Sequence, residues 1–591
     1  MFGSIIYILS SLMLFSVNFL IKKDNCTHHS AASWMVICFA ISMWINCFVA
    51  GIYGLFNIPV TLISMAIFYI IISVLGINYI RQHGKQRYVW KVFDFIWLIC
   101  IIVIAVIIGF NIHSSRLLIA DVSGDTCMHY RYALKVANTG IVKGEMFFAP
   151  VNNGIFIALL KPFLYDYQYY KAFIAMGIMM LALSGCVMYA VTSDLMINNR
   201  KKIICFSAGV LYMLGYPLHN ELMGFVYLGM SITIVAVLVY IFHLFRKNIM
   251  DRKWAVFLMM LGCYALVMCY MLFAPFVYIA LFISLALYSF PKYGFKSFVK
   301  WSLGIFLVPS ILAIYYCYFN FFQNRGLAIS NAISTNGGTR GRLYSYILVL
   351  VPAAIYMIVS DHKKRNIEIT ILLIIVSFCM IGALFLVQID KFSFYYYTKI
   401  LYLLWYVLFL AAFYGLQNMF YHEKNAFVSY MIVMGILAVL FGSNINQKID
   451  TKAAESGYGH LAENYRTISF GIYNENMELM RSVGKYDSSK INLFRYIKDN
   501  LSGEVVPVLG DIPNYLDVYW CENFTGQDLS DYYYWTDEAG DTYNRIVEGK
   551  TVQYVLVLYG TGMYQDNKKI WNKYEKVYKT KSGCILKLNS K

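Results

Sequence analysis

The sequence predicts an α-helical multi-pass membrane protein with about 14 transmembrane helices, followed by a small C-terminal extracytoplasmic α/β domain. Three observations carry that expectation. The 591 residues are 60% hydrophobic and 14% charged, with a mean hydropathy of +0.58, whereas soluble domains rarely exceed about half apolar residues. Apolar runs of about twenty residues recur, each long enough to cross a bilayer core. Basic residues crowd the short loops between these runs. From residue 444 onward 18 Lys and Arg stand against 19 Asp and Glu, so the net charge of +17 resides in residues 1–443, where 31 basic residues outnumber 13 acidic ones. Loop charge of this kind orients helices in a membrane and gives no reason to expect nucleic acid.

The elements follow in order. An apolar run at 4–21 lacks a basic n-region and a small-residue cleavage site, and "IKKDN" follows it, so it reads as an uncleaved first helix. The loops "IKK", "RQHGKQRYVWK", "NNRKK", "RKNIMDRK", "PKYGFKSFVK" and "DHKKRN" all fall in the cytoplasm if the N-terminus lies outside. Residues 1–443 are then the transmembrane helical domain. Its outer segments are 113–170, 219–223, 322–343 and 389–395. "NNGIFIALLKPFLY" (152–165) is too short to span and carries Lys161 and Pro162, so it is expected to lie in the outer interface as a juxtamembrane helix. Residues 444–591 are expected outside the membrane. There "INLFRYIKDNL" reads as an amphipathic helix, "EVVPVLGD" as a strand ending in a turn, "TVQYVLVLYG" as a buried strand, and "KVYKT" with "GCILKL" as a closing hairpin. The domain shows no Gly-rich phosphate loop and no metal cluster, so its expected role is a lid or recognition element. Among the 13 cysteines there is no CxxC and no zinc spacing. Cys521 and Cys584 lie in the tail, where a disulfide between them stays open.

The chemistry is expected at the outer face. No acidic residue of the membrane portion falls at the middle of a predicted span, which counts against an ion-coupled transporter, whose titratable group must lie on the path. In "LLIADVSGDTCMHYRYALKVANTGIV" (117–142), Asp121 and Asp125 stand four apart. On a helix that spacing puts both carboxylates on one face, and His129 and Tyr132 continue the stripe. Such a group can take a proton from a hydroxyl or hold a divalent cation. The plainer alternative makes Asp121 or Ser123 the N-cap of a helix in a solvated loop. His129 and Arg131 are candidate substrate contacts. In "NRGLAISNAISTNGGTRGR" (324–342), Arg325, Arg340 and Arg342 sit on the face where basic residues are usually scarce, beside glycines whose backbone can approach an anion. A mobile loop touching lipid headgroups explains them as well. "GYPLHNELMGFVYLG" (215–229) packs His219 and Glu221 into an outer turn, able to line a sugar pocket or simply to face water. Lys399 lies about one turn into the apolar run "YYYTKILYLLWY", where it either snorkels outward or meets a phosphate.

The architecture and the first outer loop resemble the GT-C superfamily of membrane glycosyltransferases. "ADVSGDTCMHYRYALKVANTGIV" is similar to that family's outer-loop pattern of an Asp, a nearby Tyr/His pair, a small-residue helix and a Gly. "NNGIFIALLKPFLY" resembles its second juxtamembrane helix. The resemblance implies an enzyme of the plasma membrane that moves a sugar from a polyprenyl-phosphate donor to an extracytoplasmic acceptor: a cell-envelope glycan, a lipid or a protein. It implies Asp125 as the catalytic carboxylate and Asp121 as its partner, with a divalent cation between them as an option and no other metal. Arg325, Arg340 and Arg342 would face the departing lipid phosphate. Two other readings stand beside it. A lipid-linked polysaccharide polymerase or ligase needs no acidic pair in an early loop and usually lacks a folded C-terminal domain. A lipid-linked oligosaccharide flippase or exporter requires charged residues in mid-span.

Overall fold

The computed structural model describes residues 30–83, 91–121, 124–142, 151–195, 202–318, 350–360, 366–442, 471–510, 514–534, 539–549 and 551–588. The membrane portion contains α1 (Ala31–Leu55), α2 (Leu62–His83), α3 (Val92–His113), β1 (Ala120–Asp121), α4 (Gly124–Thr139), α5 (Val151–Leu160), α6 (Tyr169–Leu195), α7 (Lys202–Leu214) and α8 (Tyr216–Leu222). It continues with α9 (Val226–Arg246), α10 (Arg252–Tyr270), α11 (Ala274–Cys317), α12 (Val351–Ser360), α13 (Ile367–Gln388), α14 (Phe394–His422) and α15 (Lys424–Gly442). Among the described residues, 7 helical stretches are long and apolar enough to cross a membrane, and Leu62–Leu75 and Val351–Ser360 are shorter apolar helices. One stretch, Arg252–Cys317, holds both α10 and α11, and α11 breaks at Gly294 (φ 76°), where the basic loop "PKYGFKSFVK" was expected. The helix expected at 4–21 lies outside the described residues, and the full count of spans expected from sequence is not established. α7, expected to run to 219, stops at Leu214 because Gly215 and Pro217 start the separate helix α8.

Outward-facing apolar side chains agree with a lipid surround. Ile63, Val92, Phe93, Phe378 and Ile381 are each about 70% exposed or more, on helices with few polar residues. Residues assigned by sequence to the cytoplasmic ends contact one another. Asp94 accepts from Lys202 (2.8 Å) and the Tyr189 hydroxyl (2.7 Å), Tyr240 donates to Asp194, and Glu368 meets His243 and Arg246. Asp94 and Glu368 are buried and paired, as burial of a charge requires, and Asp194 is half-buried.

α5 forms the short helix expected after the first outer segment, and all ten residues from Val151 to Leu160 are buried. It packs on α4 through Gly154, where any side chain would collide with Val136.

The C-terminal region contains α16 (Gly471–Ser482), β2 (Gly484–Lys485), α17 (Ser488–Asn500), β3 (Val508–Leu509), α18 (Tyr515–Thr525), α19 (Ala539–Tyr543), β4 (Tyr554–Leu558), α20 (Gly562–Asp566), α21 (Lys568–Trp571), β5 (Glu575–Lys579) and β6 (Gly583–Lys587). The sheet order is β3-β4-β6-β5, with β3 parallel to β4 and the remaining pairs antiparallel. The run "YVLVL" is continuously apolar because β4 is covered on both faces. Leu556 and Leu558 join the core beneath α17 and α18, whereas Val555 and Val557 join Tyr534, Ile546 and Trp571 on the other side. Cys521 and Cys584 are separate, buried free thiols.

Candidate active site

α4 is the element that carries the acidic motif, and two glycines place it. Gly140 ends it in the left-handed conformation (φ 68°), its N–H bonding the Val136 carbonyl, while its own carbonyl accepts from Val60. Gly224 (φ 77°) lies against Thr126, so close that a Cβ would strike the Thr126 backbone. That close approach brings the start of α9 onto α4. His129 then meets Phe225 and Tyr227, with ring centroids 6.3 and 4.6 Å apart.

Tyr227 joins this face to α14. The Lys399 ammonium donates to the Tyr227 hydroxyl at 2.6 Å and lies over the rings of Tyr395 (4.2 Å) and Phe225 (4.3 Å). Lys399 is 3% exposed, so it does not snorkel out; its charge is held inside an aromatic cage. Ser393 caps α14 by accepting from Tyr395 N–H. Asp125 sits on the α4 face turned to Lys399, near enough for their charges to interact. Burial pushes the Asp125 carboxyl above its ordinary value, and Lys399 pulls it part of the way back. Burial, with the Lys399 charge second, pulls the His129 imidazole down to about 3. His129 is therefore neutral, and neither of its ring nitrogens has a hydrogen-bond partner among the described residues.

Of the residues singled out from sequence, the structure brings Asp125, His129 and Lys399 together. Asp121 lies in β1, paired with Gly484 of β2, and its side chain is outside the described residues. Arg131 goes elsewhere. Six residues after Asp125, it projects from another face of α4 and pairs with Glu522 and Asn523 of α18. His219 donates toward Asn476 Oδ1 (3.2 Å), and Asn476 in turn donates to the Leu214 and Gly215 carbonyls. The His219 ring also reaches Tyr402, three residues along α14 from Lys399. Glu221 faces His113 Nε2 at 3.6 Å and packs on Gly177. These two polar residues tie helices and the C-terminal region together around the site. Arg325, Arg340 and Arg342 lie outside the described residues. Phe225, Tyr227 and Asn523 were missed by sequence reasoning. The first two stood in the quoted outer turn, but only its polar residues drew attention.

The described residues do not by themselves build a divalent-cation site, and the Asp121 side chain lies outside them. Among the described residues no group of three or more His, Cys, Asp or Glu could hold a metal ion. The one described carboxylate, Asp125, already faces a lysine ammonium, which would repel a second cation.

No family model matches the chain, and no curated protein matches it in sequence. A solved structure of the archaeal oligosaccharyltransferase AglB from Archaeoglobus fulgidus, in complex with an inhibitory peptide and a dolichol-phosphate, aligns with 78% of this chain and 69% of its own, at 10% identity and a TM-score of 0.39. That likeness is too shallow to carry an inference about activity.

Proposed function

We propose that the protein is a membrane glycosyltransferase of GT-C type, moving a sugar from a polyprenyl-phosphate donor to an acceptor hydroxyl at the outer face. One observation supports this reading above the others: a half-buried carboxylate and a buried ammonium, from segments far apart in sequence, lie near enough for their charges to interact, beside a neutral histidine and the rings of Tyr227 and Tyr395. The acceptor oxygen forms a bond to the anomeric carbon as the bond from that carbon to the phosphate oxygen breaks. The hydroxyl proton passes to Asp125, and the bonding pair leaves with the lipid phosphate. A carboxylate raised by burial is a stronger base than one in water. The Lys399 charge, fixed before reaction, stabilises negative charge on the departing phosphate. Tyr227 and Tyr395 hold that ammonium in place.

The test uses the full-length protein in membranes with a panel of radiolabelled polyprenyl-phosphate sugars. Asp125→Asn is expected to abolish transfer while expression and membrane insertion stay intact. Near-normal transfer by that variant would remove Asp125 from the chemistry, and no transfer by the unaltered protein with any donor would remove the reading itself.

A further inference from the structure

We infer that Asn523 is a positioning residue that sets the rotation of α4, which makes the C-terminal region a working part of the active site rather than a lid over it; the inference rests on the role given to Asp125 above. The Asn523 amide donates to the Cys127 carbonyl at 2.8 Å, and its oxygen accepts from Arg131 Nε at 3.1 Å. Cys127 stands midway between Asp125 and His129. Its carbonyl is thus gripped from outside the helix at the turn that carries both site residues. The Glu522 carboxylate takes the other end of the Arg131 guanidinium and is itself fixed by the Leu529 N–H at 2.8 Å. This clamp holds α4 from the face turned away from Lys399, so it reaches the reaction only through the helix.

A second grip lies upstream. Ala120 and Asp121 pair antiparallel with Lys485 and Gly484, the Tyr486 N–H bonds the Ile119 carbonyl at 3.0 Å, and the Lys485 ammonium bonds the Asn111 carbonyl at 2.8 Å. Trp520 packs on Tyr130 with centroids 5.5 Å apart. A helix held by a strand before its first turn and by side chains on its back has little freedom to turn about its axis. A rotation of about 10° moves a side-chain tip, 5–6 Å from the axis, by about 1 Å. Misplacement of about 1 Å at a reacting group costs up to about 100-fold in rate.

The experiment compares full-length wild type, Asn523→Ala, Arg131→Met and the double variant in lipid nanodiscs, by steady-state transfer and by amide hydrogen exchange over residues 124–133. Asn523→Ala is expected to lose about 10- to 100-fold in kcat with KM for the donor unchanged, because Asn523 touches no donor, and to speed exchange in α4. Arg131→Met is expected to do the same more mildly, and the double variant to be no worse than Asn523→Ala, since the two residues form one clamp. Wild-type kcat, a loss confined to KM, or unchanged exchange in Asn523→Ala overturns the inference. If the wild type transfers no sugar, the functional reading fails by itself, and hydrogen exchange alone then decides whether Asn523 holds α4.

Discussion

Asp125, half-buried on α4, and Lys399, buried on α14, are groups of opposite charge near enough to interact, and their energetics separate a catalytic role from a structural one. Removing one member of a fully buried pair costs about 3–5 kcal/mol, and replacing both by neutral groups is neutral or stabilising by about 1–4 kcal/mol; with Asp125 only half-buried, its removal costs less than that. The double variant Asp125→Asn/Lys399→Met is therefore expected to unfold in detergent at or above the wild-type temperature, yet to transfer no sugar. A purely structural pair would leave some activity in a variant that folds this well. The pH dependence follows from the same pair. Burial raises Asp125, and Lys399 lowers it in part, so transfer by wild type is expected to fall on the acid side at a pH above the ordinary aspartate range. Lys399→Met, which removes the lowering charge, should move that limb higher still; an unmoved limb in the residual activity would assign it to another group. His129 has the opposite linkage. Its folded value of about 3 lies below the unfolded 6.5, so the unfolded chain binds the extra proton between those values and stability falls as pH drops through that window. The slope is at most about 1.4 kcal/mol per pH unit. His129→Phe should flatten it by that amount, measured as the difference in unfolding temperature between pH 7 and pH 5.

At the scale of elements, the parts governed by local period were legible in the sequence, and the parts governed by close approach were not. The 3.6-residue repeat suffices to put Asp125 and His129 on one face, and α17, β4 and the β5–β6 hairpin follow from period and turn residues alone. That Lys399 comes near this face of α4 depends instead on the turn at Gly224, which seats Phe225 and Tyr227 between them. Nothing in a one-dimensional pattern distinguishes that glycine from the others. The covering of α5 is illegible for a related reason: a short apolar run does not show which helix packs on it, and here α4 does so through Gly154. Gly224→Ala tests the dependence. The left-handed φ and the contact with Thr126 together should cost about 1–3 kcal/mol, and transfer should fall more than that loss of stability explains. Unchanged unfolding and transfer would mean that the turn does not hold the site.

For the whole molecule, the C-terminal region is bonded to the same end of the helical bundle that carries the candidate site. Lys498 reaches Asp166 at 2.9 Å, Arg495 lies over Tyr167 at 4.4 Å, and β2 extends β1. The buried core of α17 and α18 is continuous with that of the bundle. The basic residues Lys253 and Lys296 lie at the other end, beside Arg252 and Gly294. Loop charge predicts that this basic end is cytoplasmic, and on that expectation the C-terminal region and Asp125 lie together outside. A single-cysteine labelling experiment separates the two ends, with the unaltered chain as background because its described cysteines are buried or half-buried. Asp499→Cys, on an exposed position of α17, should react with a membrane-impermeant maleimide on intact cells. Lys253→Cys and Lys296→Cys should react only after permeabilisation. If Asp499→Cys is protected until the membrane is opened, Asp125 faces the cytoplasm, where nucleotide-activated sugars are available and a lipid-linked donor loses its rationale.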